Sequence, residues 1–219
     1  MVPARSRQAV VVVAPTWADR TATLLRYERT SRSGWSPVGR GVPAVLGRGG
    51  LGWGMGLHGA RRGRAKREGD DRSPAGVFRI PSAFGRRPPA GATLPFVRVH
   101  AHHRWVDDPR SRHYNRLVDD RGVERDWSSA EVLARPDGLY DATLVVDHNP
   151  SRQPGAGSAV FVHAWRAPGR PTAGCTALAP DEVRALLAWL VPDAMPVLVQ
   201  LPRATYRRVQ AAWRLPPLA

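Results

Sequence analysis

Glycine and proline interrupt this chain so often that long helices are excluded from most of it. The 219 residues include 21 glycines and 21 prolines, and both residue types favour turns and the ends of regular elements. This pattern predicts short strands joined by turns and loops. The hydrophobic fraction of 42%, with eight tryptophans, is sufficient for a hydrophobic core. Because no repeat or low-complexity linker divides the chain, we expect one domain over residues 1–219.

Strand patterns dominate the first two thirds of the chain. The run AVVVVA at residues 9–14 predicts a first β-strand because β-branched residues favour extended structure. Residues 139–149 and 158–165 predict a pair of neighbouring strands. Residues 128–136 instead predict a short helix with Ser129 as its N-cap. The charged segment at residues 60–76 is expected to be an exposed loop.

Helical spacing is found near the C-terminus. The positions of Val183, Leu186, Leu187 and Leu190 predict a helix over residues 180–190, and a similar pattern predicts a second helix over residues 204–215. The segment PVLVQL between them predicts a strand. The fold class expected is therefore mainly β, with a few short helices, two of them near the C-terminus.

The chain carries a formal net charge of +15, and Lys66 is its only lysine. Such a charge favours polyanions: nucleic acid, an anionic membrane face or an acidic cell-wall polymer. Arginine clusters at residues 61–67, 85–87 and 202–208 are the basis of a nucleic-acid interpretation. The sequence shows no zinc finger, aromatic-interleaved RNA motif or clear recognition helix, so we do not expect nucleic-acid binding. A basic polyanion-binding module without catalysis is the alternative to an enzyme.

No apolar run approaches the ~18–20 residues that a membrane span requires. Arg5 and Arg7 followed by the apolar residues 9–14 resemble a secretory signal, but the run ends at Pro15. It is shorter than the ~7–15 apolar residues typical of such signals. The residues alone therefore predict neither a transmembrane segment nor an export signal.

Cys175, the only cysteine, follows a glycine, and His163 lies upstream at the end of an apolar run. A single cysteine excludes an intramolecular disulfide framework. A thiol attacks as its thiolate, so a catalytic cysteine needs a group that takes its proton or lowers its pKa, and His163 is a candidate. The alternative is that Cys175 is a small buried apolar residue and His163 a hydrogen-bonded core histidine.

The richest group of possible metal ligands lies in HAHHRWVDDPRSRH, residues 100–113, and includes His100, His102 and His103. Imidazoles and carboxylates suit zinc, but the segment lacks the helical spacing of a metalloprotease. We expect polar loop residues here and predict no metal and no cofactor. His58, which follows a glycine-rich stretch, and the pair Tyr114 and Asn115 are candidates for the substrate cleft.

Several segments resemble one known family. VFVHAWRAPGRPTAGCTAL is similar to the catalytic segment of the L,D-transpeptidase (YkuD-domain) family, in which a strand histidine precedes a Ser/Thr-His-Gly-Cys signature. EGDDRSPAGVFRI resembles the family's Thr-Pro-x-Gly-x-Phe strand, with Ser73 in place of threonine. LGWGMGLH, WVDDPRSRHYN and LVVDHNP resemble elements of a bacterial subgroup. The resemblance extends from about residue 9 to 201 and implies an L,D-transpeptidase-like β-sandwich or barrel.

By this resemblance Cys175 is the nucleophile, His163 is its general base, and the two are expected to form a thiolate–imidazolium pair. Gly174 belongs to the oxyanion turn, and Thr172 takes the Ser/Thr position. Ala173 departs from the family pattern because it stands where the main family has histidine.

The substrate-binding residues are less directly indicated. Ala177 stands where the family often has an arginine or asparagine beside the substrate carboxylate. Arg166 or Arg170 is a candidate replacement, since a guanidinium binds carboxylate in a bidentate fork. The other candidates for substrate contact are Thr172, Ala173, Tyr114, Asn115 and His58.

The implied reaction is acyl transfer on peptidoglycan tetrapeptide stems. Cys175 forms a thioester at the bond between an L-centred diamino acid and D-alanine, and an amine acceptor completes L,D-transpeptidation. Transfer to water gives an L,D-carboxypeptidase, and an amidase on other D-amino-acid peptides is a further alternative. The substrate implies an extracytoplasmic location, with anionic wall polymers as possible partners. The lack of a clear signal keeps the cytoplasm as the alternative location.

Overall fold

A computed structural model of the chain describes residues 1–30 and 34–218 and is mainly β, as predicted. The strands are β1 (Gln8–Ala14), β2 (Thr21–Glu28), β3 (Ser36–Val45), β4 (Leu51–Trp53), β5 (Ser73–Arg79), β6 (Ala83–Gly85), β7 (Phe96–Arg98), β8 (His103–Val106), β9 (Arg116–Asp119), β10 (Ala130–Val132), β11 (Ala142–Val145), β12 (Phe161–Ala164), β13 (Thr176–Leu178) and β14 (Val197–Pro202). The helices are α1 (Pro180–Trp189) and α2 (Arg203–Trp213), with a 3₁₀ turn at Pro192–Ala194.

Strand β1 lies inside a mixed sheet of eleven strands. The order across this sheet is β4-β5-β14-β1-β2-β3-β13-β12-β11-β6-β7. All seven residues of β1 are buried, those at positions 9–14 within the hydrophobic core, and the strand pairs with β14 in parallel and with β2 in antiparallel orientation. A strand covered on both faces has no need of alternating polar residues, which explains the unbroken valine run.

A smaller sheet, with the order β10-β8-β9, contains strands in two segments for which other structure is predicted: β8 begins in the histidine-rich segment expected to be a loop, and β10 lies in the segment expected to be a helix. Residues 128–136 were expected to be a helix capped by Ser129, but Ala130–Val132 form strand β10 against β8. Asp108 fixes the approach to this strand by accepting hydrogen bonds from the N–H and hydroxyl of Ser128, at 2.9 and 2.7 Å. Tertiary pairing therefore overrides the local helical preference.

Both predicted C-terminal helices are confirmed, and each packs on the large sheet. Helix α1 begins at Pro180 with two acidic residues in its first turn, where negative charge complements the helix dipole. It packs on β11 and β12, and α2 packs on β14 and β1. Between the helices, β14 matches the predicted strand. Within the described residues, no helix has the length and apolar composition needed to cross a bilayer.

The hydrophobic interior has a separate aromatic part beside β12. Phe84 and Phe161 meet edge to face with ring centroids 5.0 Å apart, and Trp105 and Tyr140 pack edge to face on Phe161 at 5.1 and 5.7 Å. Cys175 packs against this cluster. The aromatic cluster therefore forms a rigid floor beneath the segment that contains the cysteine.

Three histidines are buried inside this fold in the neutral form. Burial lowers the pKa of His58, His148 and His163 from the ordinary 6.5 to about 4 in each case. Below pH 6.5 the unfolded chain binds protons at these three sites and the folded chain does not. Their contribution to stability is therefore complete above pH 6.5 and is lost as the pH falls towards 4.

We predict that the free energy of unfolding, measured by urea denaturation, changes little between pH 8 and 7 and falls steeply between pH 6 and 5. The three histidines together should give a slope of about 4 kcal/mol per pH unit. His58→Gln should reduce this slope by about 1.4 kcal/mol per pH unit. His100→Gln is the control because His100 is exposed. Equal slopes for the wild type and His58→Gln would contradict a neutral His58 in the folded protein.

Candidate active site

Neighbouring strands bring His163 and Cys175 together. Strands β12 and β13 pair in parallel with His163 opposite Ala177, and Cys175 lies two residues before Ala177, just ahead of β13. Because side chains alternate between the faces of a sheet, Cys175 and His163 project from the same face. Both line one cavity of about 540 Å³. The loop over residues 165–175 makes the return between the two strands.

Two hydroxyl groups hold the backbone of the cysteine turn. Thr172 and Ser73 both donate hydrogen bonds to the carbonyl oxygen of Cys175, at 2.6 and 2.9 Å. The Thr172 hydroxyl also accepts the N–H of Gly174 at 3.1 Å. Gly174 has φ of 149°, and a Cβ there would lie 3.1 Å from the carbonyl oxygen of Arg72. Glycine is therefore the residue that suits this turn.

The SPAGVF segment connects this turn to the centre of the large sheet. Ser73 accepts the N–H of Gly47 at 2.9 Å while it donates to Cys175. Gln200, on β14, donates to the carbonyl of Pro74 at 2.9 Å and accepts the hydroxyl of Thr176 at 2.6 Å. These bonds tie β5, β14 and β13 together on both sides of Cys175.

The surroundings of Cys175 favour the neutral form of its thiol. Its Sγ–H donates to the carbonyl oxygen of Ala159 at 3.4 Å, and the side chain packs beside Phe161 and Tyr140. Burial raises the pKa of the Cys175 thiol to about 12. Removing the group from water disfavours the thiolate more than the local dipoles and charges favour it.

His163 presents one nitrogen as a base. Its Nδ1 lies 2.7 Å from the carbonyl oxygen of Ala164, which only accepts, so Nδ1 carries the proton. Nε2 of the neutral ring is then free to accept a proton. Burial lowers the pKa of His163 to about 4. Together with the raised thiol pKa, this favours a neutral thiol beside a neutral imidazole over the expected thiolate–imidazolium pair.

Charged side chains surround the cavity. Thr172, Ala173, Gly174, Arg166 and Arg170 all line it, as their proposed substrate contacts require. The cavity is also lined by the acidic residues Glu68, Asp71, Asp107 and Glu131 and by the basic residues Arg48, Lys66 and Arg135.

Most of the arginines at this cavity face an acid. Arg166 lies 3.9 Å from Asp137, Arg48 lies 3.5 Å from Asp71, and Arg135 makes a 2.6 Å ion pair with Asp137. Arg170 has no ion pair or side-chain hydrogen bond within residues 1–30 and 34–218. Its guanidinium is therefore the cavity cation most available to an anionic ligand.

Three predicted substrate contacts lie outside the cavity around Cys175. Tyr114 is buried, donates its hydroxyl proton to Glu68 and accepts the N–H of Gly157 at 3.1 Å. His58 is buried beneath Gly76, where an added Cβ would lie 2.0 Å from the ring. Neither residue lines the cavity around Cys175.

Asn115 is the third of these residues, and its side chain bonds to residues next to the cavity. Its Oδ1 accepts the indole N–H of Trp105 at 2.9 Å and the N–H of Ala159 at 3.3 Å. Its Nδ2 donates to the carbonyls of His148 and Asn149, both at 3.2 Å. Since the carbonyl oxygen of Ala159 accepts a hydrogen bond from the Cys175 thiol, Asn115 helps to orient that thiol by holding Ala159.

The histidine-rich segment brings His102, His103 and Asp119 close enough for their ligand atoms to lie within 4.8 Å of one another. Nδ1 of His103 accepts the backbone N–H of His100 at 3.0 Å, so the ring proton occupies its other nitrogen. Arg121 holds both carboxylate oxygens of Asp119, at 3.0 and 2.7 Å. Existing partners therefore engage two of the three groups, and we assign no metal to them.

The sequence did not identify Lys66, Tyr140 or Ala159 as part of the site. Lys66 belongs to the segment 60–76 that was expected to be an exposed loop, yet its side chain is only 4% exposed. Its one available signal was its identity as the single lysine. Ala159 takes part through its carbonyl and a left-handed backbone with φ of 50°, neither of which its side chain reveals.

Comparison with protein families gives one match. The sequence matches the family model described as the L,D-transpeptidase catalytic domain (YkuD) over residues 16–199, which include Ser73, His163 and Cys175. No match was found among curated proteins.

We predict that alkylation of Cys175 by iodoacetamide is slow at pH 7. Its second-order rate constant should rise about tenfold per pH unit up to pH 10, following the thiolate fraction of a thiol with a raised pKa. Mass spectrometry of the intact protein measures the rate, and Cys175→Ala is the unlabelled control. A rate that is already at a plateau at pH 7 would instead indicate a resting thiolate.

Proposed function

Because the chain belongs to the L,D-transpeptidase catalytic-domain (YkuD) family, whose members act on peptidoglycan peptides, we propose that it is a cysteine acyltransferase for peptidoglycan stem peptides. The observation that carries this proposal is the placement of Cys175 and His163 on one face of the β12–β13 pair, in one cavity. The proposed donor is a tetrapeptide stem, cleaved between its L-centred diamino acid and D-alanine.

In the first half-reaction Sγ of Cys175 attacks the carbonyl carbon of that peptide bond. The thiol proton passes to Nε2 of His163, and a tetrahedral oxyanion forms. When this intermediate collapses, the carbon–nitrogen bond breaks and His163 returns the proton to the departing amine of D-alanine. The products are a thioester on Cys175 and a neutral imidazole.

In the second half-reaction an acceptor amine attacks the thioester carbonyl. His163 takes a proton from the amine, the carbon–sulfur bond breaks, and the proton returns to Sγ. Transfer to a second stem gives a crosslink, transfer to a D-amino acid gives exchange, and water in place of the amine gives carboxypeptidase action. Each route restores the neutral thiol and imidazole of the resting protein.

The raised pKa of Cys175 and the lowered pKa of His163 determine the order of these events. Full proton transfer before attack is unfavourable, so we propose that the proton moves as the sulfur–carbon bond forms. Backbone N–H groups of the 173–175 turn are the proposed oxyanion donors. The N–H of Gly174 already donates to Thr172, which leaves those of Ala173 and Cys175 for this role.

Arg170 is the proposed contact for a substrate carboxylate. It lines the cavity and lacks an acid partner among the described residues, whereas Arg166 faces Asp137. A stem peptide offers carboxylates on either side of the bond that is cleaved. A guanidinium binds such a group through two parallel N–H donors.

Arg170→Gln is expected to raise KM for the stem peptide about tenfold, because it removes a charge-assisted hydrogen bond, while kcat changes little. Arg166→Gln is the matched control from the same loop and should change KM less than threefold. Steady-state kinetics of D-alanine release measures both constants. Equal effects of the two substitutions would assign the change to the overall charge of the loop.

The substrate also suggests a location for the reaction. We propose that the protein acts outside the cytoplasmic membrane, where peptidoglycan is assembled, and the net charge of +15 would favour its retention by anionic wall polymers. Action on wall fragments inside the cell is the alternative.

The first experiment incubates the protein with a purified disaccharide-tetrapeptide and a D-amino acid and follows the products by mass spectrometry. We expect loss of D-alanine together with exchange or crosslinking, and no turnover by Cys175→Ala, since every step passes through Sγ. Release of D-alanine without transfer would assign a carboxypeptidase. If Cys175→Ala keeps full activity, the cysteine mechanism is wrong, and no turnover by the wild type would favour the basic binding module.

A further inference from the structure

We infer that Lys66 is an electrostatic positioning residue, which holds a buried positive charge against the turn of Gly174 and Cys175 and so assists the developing thiolate. This inference deepens the proposed function and rests on it. Lys66 precedes β5 and lines the cavity together with Cys175.

The ammonium of Lys66 is fixed in place. Nζ donates to the carbonyl oxygen of Arg67 at 2.6 Å and lies 2.5 Å from Oδ1 of Asp70. An ammonium has three N–H donors, so one remains. The Nζ atom lies 3.7 Å from the position of a Cβ on Gly174. The ammonium of Lys66 therefore keeps one free N–H donor and lies close to the turn of Gly174 and Cys175.

The residue type is informative because Lys66 is the single lysine among the 33 lysines and arginines of the chain, and all the others are arginines. The stem of Lys66 passes close to Gly157, where a Cβ would lie 3.2 Å from Cγ and 3.3 Å from Cε. A flexible stem with a compact ammonium fits this channel better than the wide, planar guanidinium of arginine. The single lysine thus occupies a buried place where the shape of the cation matters.

A purely structural role does not account for this charge. Asp70 also accepts the N–H groups of Arg67 and Arg72, at 2.8 and 3.0 Å, so its turn is held without Lys66. Burying an ion pair costs desolvation energy that its attraction often fails to offset. A gain in stability therefore does not by itself explain the charge of Lys66.

The groups that face Sγ of Cys175 show where that charge acts. They are Glu131 from β10, Tyr140 from the segment before β11 and His163 from β12, besides Lys66. Of these four, Lys66 is the one cation at neutral pH. Burial has the largest effect on the pKa of the Cys175 thiol and raises it, as the Glu131 carboxylate also does, whereas the backbone N–H of Phe161 and the charge of Lys66 lower it. Lys66 therefore opposes the two effects that make thiolate formation difficult.

The test compares two substitutions that break the same ion pair. Lys66→Met removes the charge and keeps the length of the side chain, whereas Asp70→Asn leaves the ammonium in place. Iodoacetamide alkylation of Cys175 is measured from pH 7 to 10. Lys66→Met should lower the rate constant at pH 8 about tenfold, the effect of one pKa unit. Asp70→Asn should leave it unchanged or raise it, because the ammonium is then less neutralised.

A folding defect is controlled by the double substitution Lys66→Met/Asp70→Asn, which leaves no unpaired charge buried. It should show the same slow alkylation as Lys66→Met, with a higher thermal midpoint. If Asp70→Asn slows alkylation as much as Lys66→Met does, or if the double substitution alkylates like the wild type, the electrostatic role is overturned and Lys66 is structural.

Alkylation needs no peptide substrate, so the result is independent of the proposed reaction. In turnover of the stem peptide, Lys66→Met should lower kcat about tenfold with KM nearly unchanged, since the charge acts on the developing thiolate. A change in KM alone would contradict this. If the wild type shows no turnover but the alkylation rates differ as expected, the proposed function fails while the role of Lys66 stands.

Discussion

The two hydroxyl bonds to the carbonyl oxygen of Cys175 are the constraint on which the rest of the site depends. Thr172 reaches this oxygen from within the turn, and Ser73 reaches it from strand β5. Cys175 is therefore tied to a strand distant in sequence, and that strand is bonded to β14 in the large sheet. A mobile loop would lose much of the orientation that acyl transfer requires, because a misplaced nucleophile sacrifices most of the benefit of proximity. The hydrogen bonds from Thr172 and Ser73 therefore fix the turn of Cys175 to the large sheet.

This rigid placement has an electrostatic cost. The aromatic floor that supports Cys175 also removes water from it, so the thiolate is disfavoured, and the same burial weakens His163 as a base. Both effects favour a neutral thiol and a neutral imidazole, so the proposed reaction depends on groups that stabilise charge as it develops. The backbone donors of the turn and the ammonium of Lys66 are such groups, since fixed dipoles and charges in a dry site stabilise a transition state without reorganising.

Much of this structure could be predicted from the sequence, and the failures share a physical cause. The valine run of β1, the spacing of α1 and α2, and the short strands are local patterns, and these predictions are confirmed. Strand β10 was missed because its pairing with β8 is not local. The segment around Lys66 is predicted to be an exposed loop because charge usually indicates exposure, and the packing of its side chain against Gly157, which is distant in sequence, leaves no local pattern. The catalytic roles of Cys175 and His163 stay predictions, and the protonation states of both residues depend on burial that only the fold supplies.

The resemblance motifs around Tyr114 and Asn115 show how a site can depend on residues outside its cavity. LGWGMGLH, WVDDPRSRHYN and LVVDHNP come from three parts of the chain, yet their members bond to one another: Met55 donates its N–H to His148, and Asn115 donates to the carbonyl of His148. Asn115 accepts the N–H of Ala159, whose backbone is left-handed, and the carbonyl oxygen of Ala159 accepts a hydrogen bond from the Cys175 thiol. Buried polar groups are costly unless all are paired, so this network fixes one geometry. Its members therefore determine where the thiol points without contacting the substrate.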